Sequence, residues 1–250
     1  MTDDLKDVVS ELAQRMLVEW DVNSICTDVL IGFCDLMSDE ALRAIDEHPR
    51  PHKKPHELLP GTRSGMAFFL PFNKEIVESN RGGRWASREW VEAYISVNRL
   101  AQRIGAVVSL AIRAAGEQAR SVPPTGDFSE ETLSSNWSHK LIGELCGLGH
   151  IGLHQMLITP AGCAGRLISL VTTAELEPSS RSDAQLCAYL RDESCVECIE
   201  ACPVGAIRPD GFDAQACYRH CIANALRLPE MPLAEVCGKC AATRCALGPG

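Results

Sequence analysis

The chain has 250 residues, of which 46% are hydrophobic and 23% charged, and its formal net charge is −9. It is long enough to bury a substantial core. Its acidity disfavours a nucleic-acid partner, because such binding depends on neutralising phosphates with Lys and Arg. No apolar run approaches the roughly 18 residues of a membrane span, and the acidic N-terminus is unlike a secretory signal. We therefore expect a cytoplasmic protein without a membrane partner.

The first third of the chain predicts helices and strands in alternation. Apolar residues at helical spacing indicate an amphipathic helix over 3–19, and Ser38 is placed to cap a helix that runs through Ile45. Four prolines without periodicity indicate a loop over 48–61. The predicted strands of this part are the apolar runs 27–34 and 64–72.

The middle of the chain contains the longest helical pattern, residues 88–116, for which Gly116 is a suitable C-cap. A strand over 118–124 and a helix over 136–146 follow. Two further strands, Leu153–Thr159 and Arg166–Thr173, are predicted around a Pro-Ala-Gly turn.

Cysteine is concentrated at the C-terminal end, where nine of the thirteen cysteines lie in the last 64 residues. In a reducing compartment this number indicates metal or redox chemistry rather than disulfides. Cys195, Cys198 and Cys202 follow the spacing C-x2-C-x3-C, with Pro203 directly after. Bacterial ferredoxins hold iron–sulfur clusters with this kind of run.

Two [4Fe–4S] clusters need about eight thiolates, and the segment supplies nine, including a second C-x2-C pair in CGKC. In a ferredoxin arrangement, each group lends one distant cysteine to the other cluster. We assign Cys195, Cys198 and Cys245 to a first cluster, and Cys202, Cys237 and Cys240 to a second.

Each cluster then lacks one ligand. The first is completed by Cys187, by the oxygen of Asp192, or not at all, which would leave a three-iron cluster. We favour Cys187, because thiolate suits iron–sulfur chemistry better than carboxylate. For the second cluster, Cys217 and Cys221 lie on one helical face, and we choose Cys217.

Zinc is the competing interpretation of two C-x2-C pairs. A zinc site needs only four ligands. Zinc therefore explains neither the Pro-Val-Gly-Ala sequence after Cys202 nor the cysteines in excess of those ligands. The four remaining cysteines are expected in the core. They are Cys26, Cys34, Cys146 and Cys163.

We therefore expect an α/β (α+β) N-terminal domain over 1–176 and a small C-terminal ferredoxin-like iron–sulfur domain over 177–250. The stretch 177–183 (EPSSRSD) is a natural linker between them.

Gly147, Gly149 and Gly152 match G-x-G-x-x-G. Dinucleotide binding requires a strand before this motif and a helix after it, whereas here a helix precedes and a strand follows. We instead expect the glycines to allow close approach of the backbone to a neighbour or a ligand.

The order of motifs resembles the epoxyqueuosine reductase family and its relatives, the cobalamin-dependent reductive dehalogenases. The matching pieces are LLPGTRSGMAFFLPF, REWVEAYISVNRLAQRIG, SHKLIGELCGLGHIG, MLITPAGCAGRLISLV and CVECIEACPVGAI. The match is best to a shorter branch that ends in CGKC and lacks the C-terminal helical repeats used on tRNA. The resemblance implies two [4Fe–4S] clusters that feed electrons to a corrinoid, cobalamin, bound in the α/β part.

The resemblance also directs attention to particular residues. Corrinoid contacts are expected from the three glycines, from His139 and from Arg166, and His150 and His154 flank the same motif. The position of the family's catalytic aspartate falls on Leu133, with Asp127, Glu130 and Glu131 nearby.

The leading hypothesis is a reductase in which two clusters pass electrons to a corrinoid or directly to a small substrate. The alternative is a non-catalytic, ferredoxin-type electron carrier. The expected electron donor is a reduced ferredoxin or flavodoxin.

Overall fold

The computed structural model describes residues 2–20, 22, 24–26, 28–123 and 128–249. Helices and strands follow in the order α1 (Thr2–Glu19), β1 (Leu30–Asp35), α2 (Asp39–Asp46), α3 (Pro55–Leu58), β2 (Ser64–Pro71), α4 (Lys74–Ser79), α5 (Arg88–Ala114), β3 (Ala119–Val122), α6 (His139–Leu145), β4 (His150–Ile151), β5 (Leu157–Ile158), β6 (Gly165–Thr172), α7 (Ala188–Asp192), α8 (Glu197–Glu200), β7 (Ile207–Arg208), β8 (Gly211–Phe212) and α9 (Ala214–Ala225). Two short 3₁₀ turns, Lys239–Ala241 and Arg244–Leu247, follow α9.

The central sheet has four strands in the order β1-β2-β6-β3, and every pairing within it is antiparallel. Ser64 of β2 lies opposite Thr172 of β6, and Ala119 of β3 lies opposite the same threonine on its other side. The mixed helix and sheet class predicted from the sequence is confirmed, in its α+β form.

Strand β2 is buried along its whole length because both faces of the sheet are covered. Met66, Phe68 and Leu70 belong to the core shared with α1 and α5. Ala67 and Phe69, which point to the opposite face as alternate strand residues must, belong to the core shared with α2 and α6. The sheet therefore lies between two layers of helices.

Several sequence predictions agree with the observed elements. Ser38 caps α2, since its hydroxyl accepts a hydrogen bond from the Ala41 N–H at 3.2 Å. Gly116, just beyond α5, has φ +90°, as expected for a glycine that ends a helix. The predicted strand 27–34 is observed as β1, displaced by a few residues, and its Thr27 lies outside the described residues.

Three predictions were wrong in detail. The segment 48–61 is not all loop, because Pro55 starts the short helix α3. The helix predicted from residue 136 begins at His139, after the cap Ser138. Of the predicted strand Leu153–Thr159, Leu157–Ile158 forms β5 and Thr159 makes a single bridge with Gly162. The rest is a tight turn, in which Gly152 N–H donates to Met156 O at 2.9 Å.

The predicted linker 177–183 has no regular structure but is tied to the edge of the sheet. Ser179 N–H donates to Phe33 O at 2.9 Å, and Phe33 N–H donates to the Ser179 hydroxyl at 3.0 Å. These bonds lead the chain along edge strand β1 toward Cys187, which lies in the same core as Phe33.

The C-terminal residues also pack on the N-terminal part. Cys163 N–H donates to Cys245 O at 3.0 Å, and Ala164 N–H donates to Ala246 O at 3.1 Å. A side chain at Gly162 would place its Cβ 2.0 Å from Ala246 O, so this position has room only for glycine. The division at residue 176 stays a prediction, although one core includes residues from both sides of it.

Within the described ranges, no helix is both long enough and apolar enough to cross a membrane.

Candidate metal centre

The first group of thiols lies around α8, the short helix that carries Cys198. The pKa of the Cys198 thiol is raised to about 12, chiefly by burial and then by the neighbouring thiolates of Cys245, Cys187 and Cys195. These are the four cysteines assigned to the first cluster. Cys187 and Cys245 act on the same thiol although they are far apart in sequence.

A second group adjoins the first. Burial raises the pKa of Cys237 to about 11, with Cys217 and Cys202 also raising it. Burial raises the pKa of Cys240 well above its ordinary value, and the thiolates of Cys237, Cys217 and Cys202 add to the effect. Cys198 of the first group also raises the pKa of Cys240, so the two groups are neighbours.

Buried thiols that raise one another's pKa are costly to ionise unless a cationic centre stands among them. All thirteen cysteines are free thiols, so disulfides do not relieve this repulsion. The Ala206 N–H donates to Cys202 Sγ at 3.2 Å, the kind of backbone contact that stabilises a ligand sulfur. The donor set therefore fits iron–sulfur chemistry.

Cys217 and Cys221 hydrogen-bond to each other on α9. This bond lowers the pKa of Cys217 to about 7 and raises that of Cys221. Both thiols lie near the second group, because Cys217 raises the pKa of Cys237 and Cys240 and these two raise the pKa of Cys221. The lower pKa of Cys217 makes it the member of the pair that is readier to bind metal as a thiolate.

We expect Cys217→Ala to lose the second cluster, and with it about half of the bound iron, whereas Cys221→Ala keeps all of it. Iron and labile-sulfide analysis of the two variants, purified without air, checks this. Iron loss from Cys221→Ala alone would reverse the assignment.

Asp192 is exposed, and its carboxylate interacts with residues close to it in sequence rather than with the cysteines of the first group. Its carboxylate accepts a hydrogen bond from Ser194 N–H at 3.0 Å and pairs with Arg191 at 2.9 Å. The hydrogen bonds from Ser194 and then Arg191 lower its pKa to about 2. Cys187, only 8% exposed, lies with the first group instead.

Sequence reasoning missed a contact at Cys245. His154 Nε2 lies 3.3 Å from Cys245 Sγ, and Cys163 Sγ lies 3.7 Å from it. The hydrogen bond from Cys163 and then that from His154 lower the pKa of Cys245 to about 4. In the sequence His154 stands out only by its closeness to the glycine motif, and Cys163 has the pattern of a core residue. No sequence signal relates either residue to Cys245.

The other cysteines of the N-terminal part are buried as predicted, which confirms Cys26, Cys34 and Cys146 as core residues. Cys163 is buried too, but it also contacts Cys245. The sulfurs of Cys34 and Cys146 lie 3.2 Å apart, away from the two groups of predicted ligands.

The glycine motif follows α6 and precedes β4, the order predicted for it and the reverse of a dinucleotide site. A Cβ on Gly149 would lie 1.9 Å from Ile158 O, and one on Gly147 would lie 2.7 Å from Ser180 O. At Gly152 it would meet the Ile158 side chain at 2.7 Å and the His154 ring at 3.1 Å. These glycines make room for the chain itself, and their role as corrinoid contacts stays a prediction.

The other expected corrinoid contacts have partners within the protein. His139 Nδ1 lies 2.7 Å from the Ser169 hydroxyl. Arg166 donates through Nε to Asn98 Oδ1 at 2.7 Å, and its guanidinium lies 4.3 Å from the centre of the Tyr94 ring. In contrast, His150 Nδ1 is buried without a hydrogen-bond partner in the described part of the chain.

The loop that would carry the family's aspartate lies against α9. Leu133 is 7% exposed and has φ +49°. Glu130 hydrogen-bonds to Tyr218, the residue after Cys217, and this contact contributes to raising the pKa of Tyr218. Glu131 is exposed, and Asp127 lies outside the described residues. Among the described residues of this loop, Glu130 therefore places a carboxylate against α9.

An open groove of about 740 Å³ lies over the cysteine loops. Its walls include residues adjacent in sequence to Cys198, Cys202, Cys240 and Cys245. Its charged lining residues are Arg81, Arg84, Lys239, Arg244, Glu197 and Glu200. The Lys239 ammonium is turned inward, donating to Asn80 O at 2.9 Å and Gly82 O at 2.6 Å.

Solved structures with a similar fold include reductases. An epoxyqueuosine reductase in complex with a tRNA-Tyr epoxyqueuosine-modified stem loop superposes with a TM-score of 0.59 at 19% identity, over 88% of this chain and 57% of that one. A reductive dehalogenase studied for B12-dependent dehalogenation gives a TM-score of 0.55 at 15% identity, over 85% of this chain and 33% of its own. A catabolic reductive dehalogenase bound to 3-bromo-4-hydroxybenzoic acid gives 0.54 at 17% identity.

The resemblance drawn from the sequence is thus confirmed at the level of the fold. The chain spans little more than half of the epoxyqueuosine reductase and a third of the dehalogenases. No family model matches the sequence, and neither does any curated protein.

Proposed function

We propose that this chain is an iron–sulfur oxidoreductase that relays electrons through two [4Fe–4S] clusters to an acceptor in its N-terminal part. The cluster ligands are Cys187, Cys195, Cys198 and Cys245 for the first, and Cys202, Cys217, Cys237 and Cys240 for the second. Residues 177–250 would form the ferredoxin-like module, and residues 1–176 the part that receives electrons.

The observation that carries this proposal is the grouping of the thiols. The cysteines assigned to each cluster are buried or half-buried and lie near enough to shift one another's pKa, and Cys198 of the first set also raises the pKa of Cys240 in the second. Adjacent clusters favour stepwise passage of single electrons. The Cys245 backbone pairs with Cys163 just before β6, so the first cluster would lie close to the sheet.

The acceptor would be a corrinoid or a small substrate. A corrinoid supplies a cobalt centre that can be reduced to carry out the chemistry. The side chains of His139 and Arg166 already have partners within the chain. The chain's own contribution is to hold the clusters, exclude water from them and set their potentials.

Elemental analysis tests the proposal. Protein purified without air, from cells supplied with cobalamin, should contain about eight iron and eight sulfide per chain. Stoichiometric cobalt would place a corrinoid in the relay. Zinc in place of iron and sulfide would refute the proposal.

A second candidate, a non-catalytic electron carrier of ferredoxin type, is favoured by the same internal partners of His139 and Arg166. It predicts iron and sulfide without cobalt. It also predicts that electrons leave to another protein, which stopped-flow oxidation by candidate acceptor proteins would detect.

We further propose that the electron donor, a reduced flavodoxin or ferredoxin, docks at the groove over the cysteine loops. Three arginines outnumber two glutamates there, in a chain whose net charge is −9. A local excess of positive charge attracts an acidic partner and speeds encounter.

Charge reversal tests the docking surface. We expect Arg81→Glu and Arg244→Glu to raise KM for reduced flavodoxin by roughly tenfold at low salt, with less effect at high salt because screening weakens both attraction and repulsion. Arg103→Glu, an exposed arginine on α5, is the matched control and should change KM little. Equal effects from all three variants would place docking elsewhere.

A further inference from the structure

His154 is buried beside a sulfur that the proposed function assigns to the first cluster. The residue is 2% exposed, and its Nε2 lies 3.3 Å from Cys245 Sγ. It comes from the turn between β4 and β5, whereas Cys245 comes from the C-terminal 3₁₀ turn. The contact therefore joins the N-terminal part of the chain to the cysteine-rich segment.

The hydrogen bond at the other ring nitrogen determines what His154 offers to this sulfur. His154 Nδ1 accepts the Met156 N–H at 3.1 Å. A neutral imidazole has one donor nitrogen and one acceptor nitrogen. Because Nδ1 is the acceptor, the proton is on Nε2, and Nε2–H points at Cys245 Sγ as a donor.

The position of the His154 proton on Nε2 also argues against a separate single-metal site formed by His154, Cys163 and Cys245. The ligand atoms of His154, Cys163 and Cys245 all lie within 4.8 Å of one another, a spacing suited to a zinc ion. A metal at Nε2 would require the lone pair there and a proton on Nδ1. That proton would then face the Met156 N–H, so two donors would oppose each other.

Cys163 is the second donor to the same sulfur. Its Sγ lies 3.7 Å from Cys245 Sγ and 3.7 Å from Ala241 O. A thiolate attracts a donated proton more strongly than a carbonyl oxygen. The Cys163 S–H is therefore expected to point to Cys245 when that sulfur is ionised.

Local backbone structure holds His154 and Cys163 next to Cys245. Gly152 leaves space for the His154 ring, which a Cβ at that position would approach to 3.1 Å. Cys163 N–H holds the Cys245 carbonyl at 3.0 Å. The donors are thus fixed by backbone hydrogen bonds and by a missing side chain, rather than left to side-chain rotation.

We propose that His154 and Cys163 are positioning residues that raise the reduction potential of the first cluster by donating hydrogen bonds to Cys245. This inference rests on the proposed function. Hydrogen bonds to a ligand sulfur withdraw negative charge from the cluster, which favours its reduced form. The first cluster is then a better electron acceptor than it would be without these two donors.

A redox titration followed by electron paramagnetic resonance tests the inference on anaerobically purified protein. His154→Phe removes the donor, and we expect the potential of one cluster to fall by about 59 mV or more, a tenfold change in a one-electron equilibrium. The other cluster should be unchanged. His154→Gln, which keeps an N–H donor, should recover part of the shift.

Cys163→Ala provides a second, independent variant, with Cys146→Ala as its matched control. Both cysteines are buried, but only Cys163 contacts a predicted ligand. We expect the reduction potential of the first cluster to fall in Cys163→Ala and to stay unchanged in Cys146→Ala.

Unchanged reduction potentials in both His154→Phe and Cys163→Ala would overturn the inference while leaving the clusters in place. Loss of about four iron from both His154 variants would also overturn it, because His154 would then be a ligand. Wild-type protein without iron and sulfide would refute the proposed function itself.

Discussion

Replacing Cys198 by alanine is expected to lower the iron content from about eight to about four atoms per chain, with an equal loss of sulfide. Cys198 is 8% exposed, and Cys245, Cys187 and Cys195 lie near enough to raise the pKa of its thiol. A cluster that loses one of four thiolates loses both a bond and the charge that matches its iron. Iron and sulfide analysis, with the visible absorption spectrum, measures the loss.

The neighbouring positions make this test specific. Cys187→Ala should behave like Cys198→Ala, whereas Asp192→Asn should keep all of the iron, because the Asp192 carboxylate is exposed and bound to Ser194 and Arg191. Cys34→Ala, at a buried cysteine outside the two groups, controls for loss of a thiol alone. Iron loss from Asp192→Asn with full retention in Cys187→Ala would show that oxygen completes the first cluster.

Gly162→Ala is expected to lower Tm by about 2–12 °C, as a change of about 1–3 kcal/mol would in a protein of this size. Gly162 has φ +97°, and a Cβ there would lie 2.0 Å from Ala246 O. The added methyl group must push away the segment that carries Cys245. We therefore also expect iron to be lost from the first cluster.

Gly211→Ala is the matched control for this substitution, since a Cβ at that position meets nothing within 4 Å. It should leave Tm and iron content near those of the unmodified chain. Thermal unfolding without air, followed by circular dichroism, measures both variants. A Gly162→Ala protein with unchanged Tm and iron would show that the C-terminal segment does not depend on this contact.

Local sequence was sufficient for much of the fold. Ser38 caps α2 because its hydroxyl reaches an N–H three residues later, an interaction contained within one turn. The alternation along β2 separates the two cores, and a continuous apolar run is what a strand covered on both faces requires. The C-x2-C spacings likewise brought Cys195 and Cys198 together, since two residues of separation leave little freedom.

The remaining features depend on contacts distant in sequence. Leu153 and Met156 look like strand residues, but hydrogen bonds across Gly152 and a positive φ of 64° at Gln155 close a turn instead. The contacts of Cys245 with His154 and Cys163 span 91 and 82 residues. They exist only because the C-terminal segment packs beside the turn before β6, and no short-range pattern records that packing.

Electron paramagnetic resonance of the dithionite-reduced protein, prepared without air, tests the central claim most directly. Two neighbouring [4Fe–4S] clusters should give about two unpaired spins per chain, with broadening from their mutual interaction because the two thiol groups adjoin. A protein that stays silent and colourless under these conditions, and contains zinc without sulfide, would contradict the account.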